Sequence, residues 1–376
     1  MSHHLYDAIV VGGGGMGSAA AYHLAKSGAK TLVLEQFSRG HAFGSSHGDS
    51  RIIRLVYEKQ FYTELMKSAY AEWHDLERAS GKKLLFTTGS VFISPDGHPY
   101  VRDIRVSLDA AGVESEWWTK RQLADRFPQF RVDSGMSVLW QKDTGFLYAS
   151  ECTLTHLQLA EANGAEVRER VKVKHLDWQA NPIEVNTDGE RFRARRVVLT
   201  AGAWTAQLLA ELNLPLTVTR QQVVYYRPKN DSLFQPNRFP IFMDVTWGKE
   251  IFYGFPIFQR EGVKVARHGM GQPTHPDTCN RTPDDAYISH LRDFLRERIP
   301  DAAGEALFAQ VCLYTETPDE DFIIDAHPHC PNLFIAAGFS GHGYKFCSLV
   351  GRILSELALQ GETRFDMSHF RLGRLG

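Results

Sequence analysis

The stretch Asp7-Ala8-Ile9-Val10-Val11, running straight into Gly12-Gly13-Gly14-Gly15-Met16-Gly17, constrains this chain more than any other. A short, apolar, β-branched run suits a strand buried on both faces. The glycines satisfy G-x-G-x-x-G, and the residues from Ser18 to Ser27 continue as a helix that Gly28 is placed to cap. Thr31-Leu32-Val33-Leu34 reads as a second strand, ending in Glu35. Each part has a physical task. Gly12 permits a tight turn, Gly14 lets backbone N–H groups approach a pyrophosphate with Met16 beside it, and Gly17 lets helix pack on strand. The helix N-terminus adds partial positive charge. Glu35 is placed to accept hydrogen bonds from ribose hydroxyls, and its charge disfavours a 2′-phosphate. Strand, turn, helix, second strand and terminal acid together specify a Rossmann-type dinucleotide-binding unit. They do not separate FAD from NAD.

At 376 residues the chain exceeds the size at which one core stops growing, so two lobes are expected. A formal charge of -2 supplies no broad attraction to nucleic acid or an anionic membrane. No run approaches the ~20 apolar residues that span a bilayer. The start, Met1 to Asp7, lacks a signal-peptide pattern, and Arg374-Leu375-Gly376 is no peroxisomal signal. The five cysteines (152, 279, 312, 330, 347) form no CxxC, which argues against a disulfide framework or a metal site and for a cytoplasmic protein.

Beyond residue 215 the character changes to strands of a mixed or antiparallel sheet, Leu216–Tyr226 and Glu250–Pro256 among them. In Gly262-Val263-Lys264-Val265-Ala266-Arg267-His268-Gly269, a period of two puts Lys264, Ala266 and His268 on one face. On a solvated face the pair is incidental; on a face that roofs the dinucleotide, Lys264 is a cation beside the redox ring and His268 a hydrogen-bonding group. The segment Gly44-Ser45-Ser46-His47-Gly48-Asp49-Ser50-Arg51-Ile52-Ile53-Arg54 follows the second strand. A helical turn there would set Arg51 and Arg54 on one face, suited either to solvent or to a carboxylate.

Two further strands end on glycine: Arg196–Ala201 before Gly202 and Trp204, and Asn332–Ala337 before Gly338. Both are expected to return to the dinucleotide sheet. The second opens a glycine-rich loop to Gly341-His342-Gly343, whose N–H groups are expected to be free, and then a helix from Lys345 whose apolar stripe is core. Lys345 in a first helical turn opposes the macrodipole and suits an anion site. Cys312 precedes this return. A thiol there suits a redox partner, a nucleophile or a flavin attachment point.

With these strings in view the chain resembles the monomeric sarcosine oxidase family of flavin-dependent amine oxidases, which includes N-methyltryptophan oxidase and the peroxisomal sarcosine/pipecolate oxidases. Ser-His-Gly-Asp-Ser-Arg-Ile-Ile-Arg and Gly-Phe-Ser-Gly-His-Gly-Tyr-Lys-Phe carry the resemblance more specifically than the glycine motif. It implies an α/β fold, with a discontinuous FAD lobe (1–85, 145–215, 312–376) and an α+β substrate lobe (86–144, 216–311). It implies FAD held by a thioether at Cys312, Lys264 serving oxygen, and Arg54 with Lys345 binding a substrate carboxylate. Arg51 would lie by the flavin, His268 by the amine, and Tyr253, Tyr314 and Met243 around the pocket. Ser45, Ser50, Val173, Gly202, Trp204, Gly341, His342 and Gly343 would complete the cofactor site. The implied activity is oxidation of sarcosine or a similar N-methyl amino acid by O2, yielding H2O2, in a monomer. Pipecolate, proline and N-methyltryptophan remain as substrates to weigh, as does a non-catalytic electron-transfer subunit.

Overall fold

Two large sheets organise the molecule, a computed structural model that describes residues 5–376. In the first, Leu5–Val11 lies between Thr31–Glu35 and Arg191–Leu199, all parallel, with Glu166–Glu169 parallel beyond Thr31–Glu35. Leu5–Val11 and Thr31–Glu35 read as near-continuous apolar runs because both faces of the sheet are covered there. Arg191–Leu199 divides its outer edge. Its first half pairs antiparallel with Ile183–Thr187, and Val197 to Leu199 pair parallel with Cys330–Ala337. Val11, Leu199 and Ile335 are therefore level across the sheet. The turns at Gly12, Gly202 and Gly338 leave it at one edge, as expected.

The second sheet is mixed and nine-stranded. Thr217–Tyr226 pairs antiparallel with Ala306–Glu316 along one edge and with Val263–His268 on the other. Glu250–Phe255, Ile241–Trp247, Ser90–Pro95, Met136–Gln141 and Glu116–Trp118 follow in that order, with Ile241–Trp247 parallel to Ser90–Pro95. Cys312 sits opposite Gln221, well inside Ala306–Glu316. The lobe boundary expected at residue 312 thus falls within a strand of this second sheet.

Two local expectations change. Arg51–Ile53 is a strand paired with Gly145–Leu147, not a helical turn. The β-branched Ile52 and Ile53 are stiff at χ1 and favour extended backbone where a partner strand is available. The C-terminal helix begins at Cys347, preceded by a 3₁₀ turn Tyr344–Phe346 that holds Lys345. Among the described residues no helix is long and apolar enough to cross a membrane.

The aromatic core of the second lobe encloses one ion pair. Arg298, at the end of the helix Asp285–Arg298, is 1% exposed and lies 2.7 Å from Asp244, which is 0% exposed. Asp244 Oδ1 accepts from Thr246, and Arg298 also donates to the Arg131 carbonyl and the Thr246 hydroxyl. Burial pushes the Asp244 carboxyl up, and the Arg298 guanidinium opposes that rise. Removing one partner strands the other charge in an apolar interior. Asp244→Ala is expected to lower the unfolding free energy by ~3–5 kcal/mol, measured by urea denaturation.

Candidate active site

The glycine turn has no room for side chains where it meets the sheet. A Cβ on Gly17 would stand 1.8 Å from the Gly12 carbonyl oxygen, and one on Gly12, whose φ is +97°, 2.5 Å from the Thr200 carbonyl oxygen. Thr200 closes this contact by donating its hydroxyl to the carbonyls of Val11 and Gly12. Gly14 is different: a Cβ there would touch only Ser46, at 3.1 Å, so its backbone borders open space. The Gly13 N–H donates to Glu35 Oε2 and the Gly15 N–H to Ser46 Oγ, each at 2.8 Å. The N–H groups of Gly14 and Met16 find no acceptor among the described residues. Phe37 N–H donates to the other Glu35 oxygen, which orients the acid while leaving it lone pairs for a ligand.

From this turn a long cavity runs along the edge of the first sheet. Gly12, Gly14, Met16, Glu35, Val173, Gly202 and Trp204 line one part of it; Ser45, Arg51, Tyr314, Gly341 and Gly343 line another. Its length, the unused N–H groups and the bare backbone at Gly14 fit an extended dinucleotide with its diphosphate at the helix N-terminus. Thr200, Tyr344 and Cys347 also line it and escaped sequence reasoning. Thr200 was legible as the hydroxyl between strand and Gly202. Tyr344 and Cys347 flank Lys345, and nothing in the local pattern set them apart.

Four cations cluster near the far part. Lys264 is 4% exposed, and its Nζ donates to the Ser50 carbonyl at 2.7 Å. Arg51 donates to the carbonyls of Ser45 and His47 and lies over the Tyr344 ring. The Arg54 guanidinium is 4.7 Å from the Tyr57 ring centre, with Nη1 3.2 Å from Met243 Sδ. Lys345 Nζ donates to the Tyr57 hydroxyl at 3.0 Å and to the His342 carbonyl. Their hydrogen-bond partners are carbonyls, hydroxyls and a thioether; none is a carboxylate.

Burial sets the ionisation here. Burial, then Arg51, pushes Lys264 down to about 7, and burial with Arg54 and Arg51 holds Lys345 well below the usual lysine range. His268, 3.4 Å from the Tyr314 hydroxyl, is pushed by burial, Arg54 and Lys345 to about 4, so its imidazole is neutral at pH 7. Burial raises Tyr253, and Tyr314 well above the ordinary tyrosine value. Cys312 is 6% exposed, raised by burial and opposed by Arg51 and Lys264. The sheet face bearing Lys264 and His268 therefore covers an interior and is not a solvated surface.

The loop Gly338–Gly343 corrects one expectation. The N–H groups of His342 and Gly343 both donate to the Phe339 carbonyl, and that of Ser340 to Thr315, so these donors are consumed within the protein. The His342 ring turns away from the cavity into a cluster with Tyr57, Tyr62 and Phe322, where its Nε2 meets the Glu320 carbonyl. Lys345 meets the loop at the carbonyl oxygen of His342.

An FAD dependent oxidoreductase family model matches residues 7–357, and the chain belongs to that family. It is 38% identical to a monomeric sarcosine oxidase of Arthrobacter sp. (strain TE1826), over 98% of this chain and 96% of that one. It is 36% identical to a peroxisomal sarcosine oxidase of Mus musculus, over 98% and 96% of the two chains. The solved structure of NikD in its open form, an amino acid oxidase of nikkomycin biosynthesis, superposes with a TM-score of 0.87 at 26% identity, covering 98% of this chain and 97% of that one.

Lys264 links this site to stability. Its folded value near 7 lies below the ordinary lysine value of 10.5, so between those limits the unfolded chain binds the extra proton and stability rises with pH. Apo protein is expected to gain thermal stability from pH 7 toward 10 relative to Lys264→Met, with the difference between the two proteins levelling off below pH 7, where folded and unfolded chains both carry the proton. Melting curves of both proteins across this range measure it.

Proposed function

We propose that this protein oxidises a secondary amino acid with O2, sarcosine or a similar N-methyl amino acid by preference. The observation that carries the reading is the pair Arg54 and Lys345, both held by Tyr57, with no carboxylate of the described residues bonded to either. Arg54 and Lys345 on one phenol suit a single incoming carboxylate, since arginine grips carboxylates in bidentate fashion and an arriving anion favours the protonated lysine. The neutral His268 and Tyr314 lie beside it and suit an uncharged amine. Met243 and Tyr253, paired across adjacent strands, add apolar wall.

Bound FAD would accept a hydride equivalent from the C–H next to nitrogen and pass both electrons to O2, giving hydrogen peroxide. The protein's part is to bind and orient. Arg54 and Lys345 fix the carboxylate, so the N-methyl group is held in one place, and such positioning contributes several kcal/mol. Burial of the site keeps bulk water from the reacting centre. The imine product meets water on release, which for sarcosine yields glycine and formaldehyde. Lys264 supplies the cation for the electron-transfer step to oxygen. Gly14, Met16 and Glu35 hold the dinucleotide.

Cys312 is the attachment point in this reading, as resemblance implies, and Arg51 and Lys264 bear on its sulfur electrostatically. All five cysteines are free, which suits a reducing compartment. A monomer accords with the name carried by the Arthrobacter relative.

An aerobic peroxide assay across N-methyl and cyclic amino acids tests the function, and sarcosine is expected among the best substrates. Arg54→Ala is expected to raise KM for that substrate by at least ~10-fold; an unchanged KM would remove the carboxylate grip. For the linkage, acid precipitation is expected to leave yellow colour in the wild-type pellet and none in that of Cys312→Ala. A colourless wild-type pellet refutes the thioether.

A further inference from the structure

Burial and Arg51 oppose the charge of Lys264, while Cys312, Asp49 and the rings of Phe255 and Tyr225 favour it. From the stretch His47 to Arg51, His47 and Arg51 face it; from Ala306–Glu316, Cys312; from Thr217–Tyr226, the ring of Tyr225; from Glu250–Phe255, the ring of Phe255. Asp49 is the one carboxylate among the groups that bear on Lys264 in the described residues. It is next in sequence to Ser50, whose carbonyl accepts a hydrogen bond from Lys264 Nζ at 2.7 Å. A Cβ on Gly48 would stand in ordinary contact with Lys264 Nζ, at 4.0 Å.

Asp49 is not loose. Tyr225 is the direct cross-strand partner of Lys264, and its hydroxyl donates to Asp49 Oδ2 at 3.3 Å. Arg260 Nε reaches the same oxygen at 3.2 Å, while its guanidinium rests 4.0 Å over the Phe308 ring. The strand that carries Lys264 and its neighbour thus carry, or support, what fixes the acid. A surface carboxylate with no task needs no phenol and stacked guanidinium to fix one oxygen.

We propose that Asp49 is a positioning residue whose carboxylate, held by Tyr225 and Arg260, keeps Lys264 protonated in the folded enzyme. Arg260 has the opposite effect on the same balance, since it neutralises part of the charge that Lys264 feels. Burial, then Arg51, pushes the lysine down to about 7, and Cys312 and then Asp49 oppose that fall. The consequence for oxygen rests on the proposed role of Lys264: the pH above which reoxidation slows would be set by Asp49, and the amine half of the reaction would not.

The test uses ¹⁵N-lysine holoenzyme, with the Lys264 Nζ resonance assigned by its loss in Lys264→Met. Asp49→Asn is expected to lower the titration midpoint of that resonance by about one pH unit. Arg260→Gln is expected to raise it by less, because Arg260 is 44% exposed and screened. Opposite signs support the proposal and are not produced by loosening a structural tie, which moves both variants alike. An unmoved midpoint in Asp49→Asn, or shifts of one sign in both, overturns it. Stopped-flow reoxidation of the same variants separates the two readings. A midpoint that moves as expected while reoxidation ignores it supports the hold of Asp49 on Lys264 and removes instead the oxygen role of Lys264.

Discussion

Everything functional in this molecule hangs from a contact that admits no side chain. Gly17 meets the Gly12 carbonyl and the Thr200 hydroxyl so closely that helix Gly15–Lys26 can start only at one place and point only one way. That start aims unused N–H groups into the cavity, and the level ends of Leu5–Val11, Arg191–Leu199 and Cys330–Ala337 bring their turns to the same edge. A dinucleotide laid there is aligned by the sheet itself. The second sheet then needs only to cover it, and its aromatic core and buried Asp244–Arg298 pair make it a stiff cover.

What gathers beneath the cover is charge to which no carboxylate of the described residues is hydrogen-bonded. Arg51, Arg54, Lys264 and Lys345 sit in a low-dielectric interior where isolated charges are costly. The protein stabilises them with carbonyl dipoles, aromatic faces and one shared phenol, and two lysines give up part of their basicity. Such an interior is arranged for anions that arrive from outside, and a neutral imidazole beside it spares the amine a further positive neighbour.

Much of this was legible in the residues. The glycine motif, its second strand and Glu35 specified the first sheet because each has a single physical task. The alternation around Lys264 told which residues share a face but not whether that face is wet, since burial depends on a strand fifty residues away. Arg51 and Arg54 misled in the other direction: a spacing of three invites a helix, and only the pairing with Gly145–Leu147 shows an extended chain. The loop donors at His342 and Gly343 were read as free because a sequence does not show that Phe339 curls back to accept them. Tyr57, which joins the two carboxylate-side cations, left no mark at all. Its role is made by contacts with residues far from it in the chain.

Cys312 lies on Ala306–Glu316, a strand of the covering sheet, whereas the N–H groups that would cradle the diphosphate belong to the other sheet. A cofactor bonded at this sulfur would be anchored at its two ends by different halves of the molecule. It would then be a rivet as well as a reagent: the halves could not part without straining it, and losing it and opening the structure would become one event.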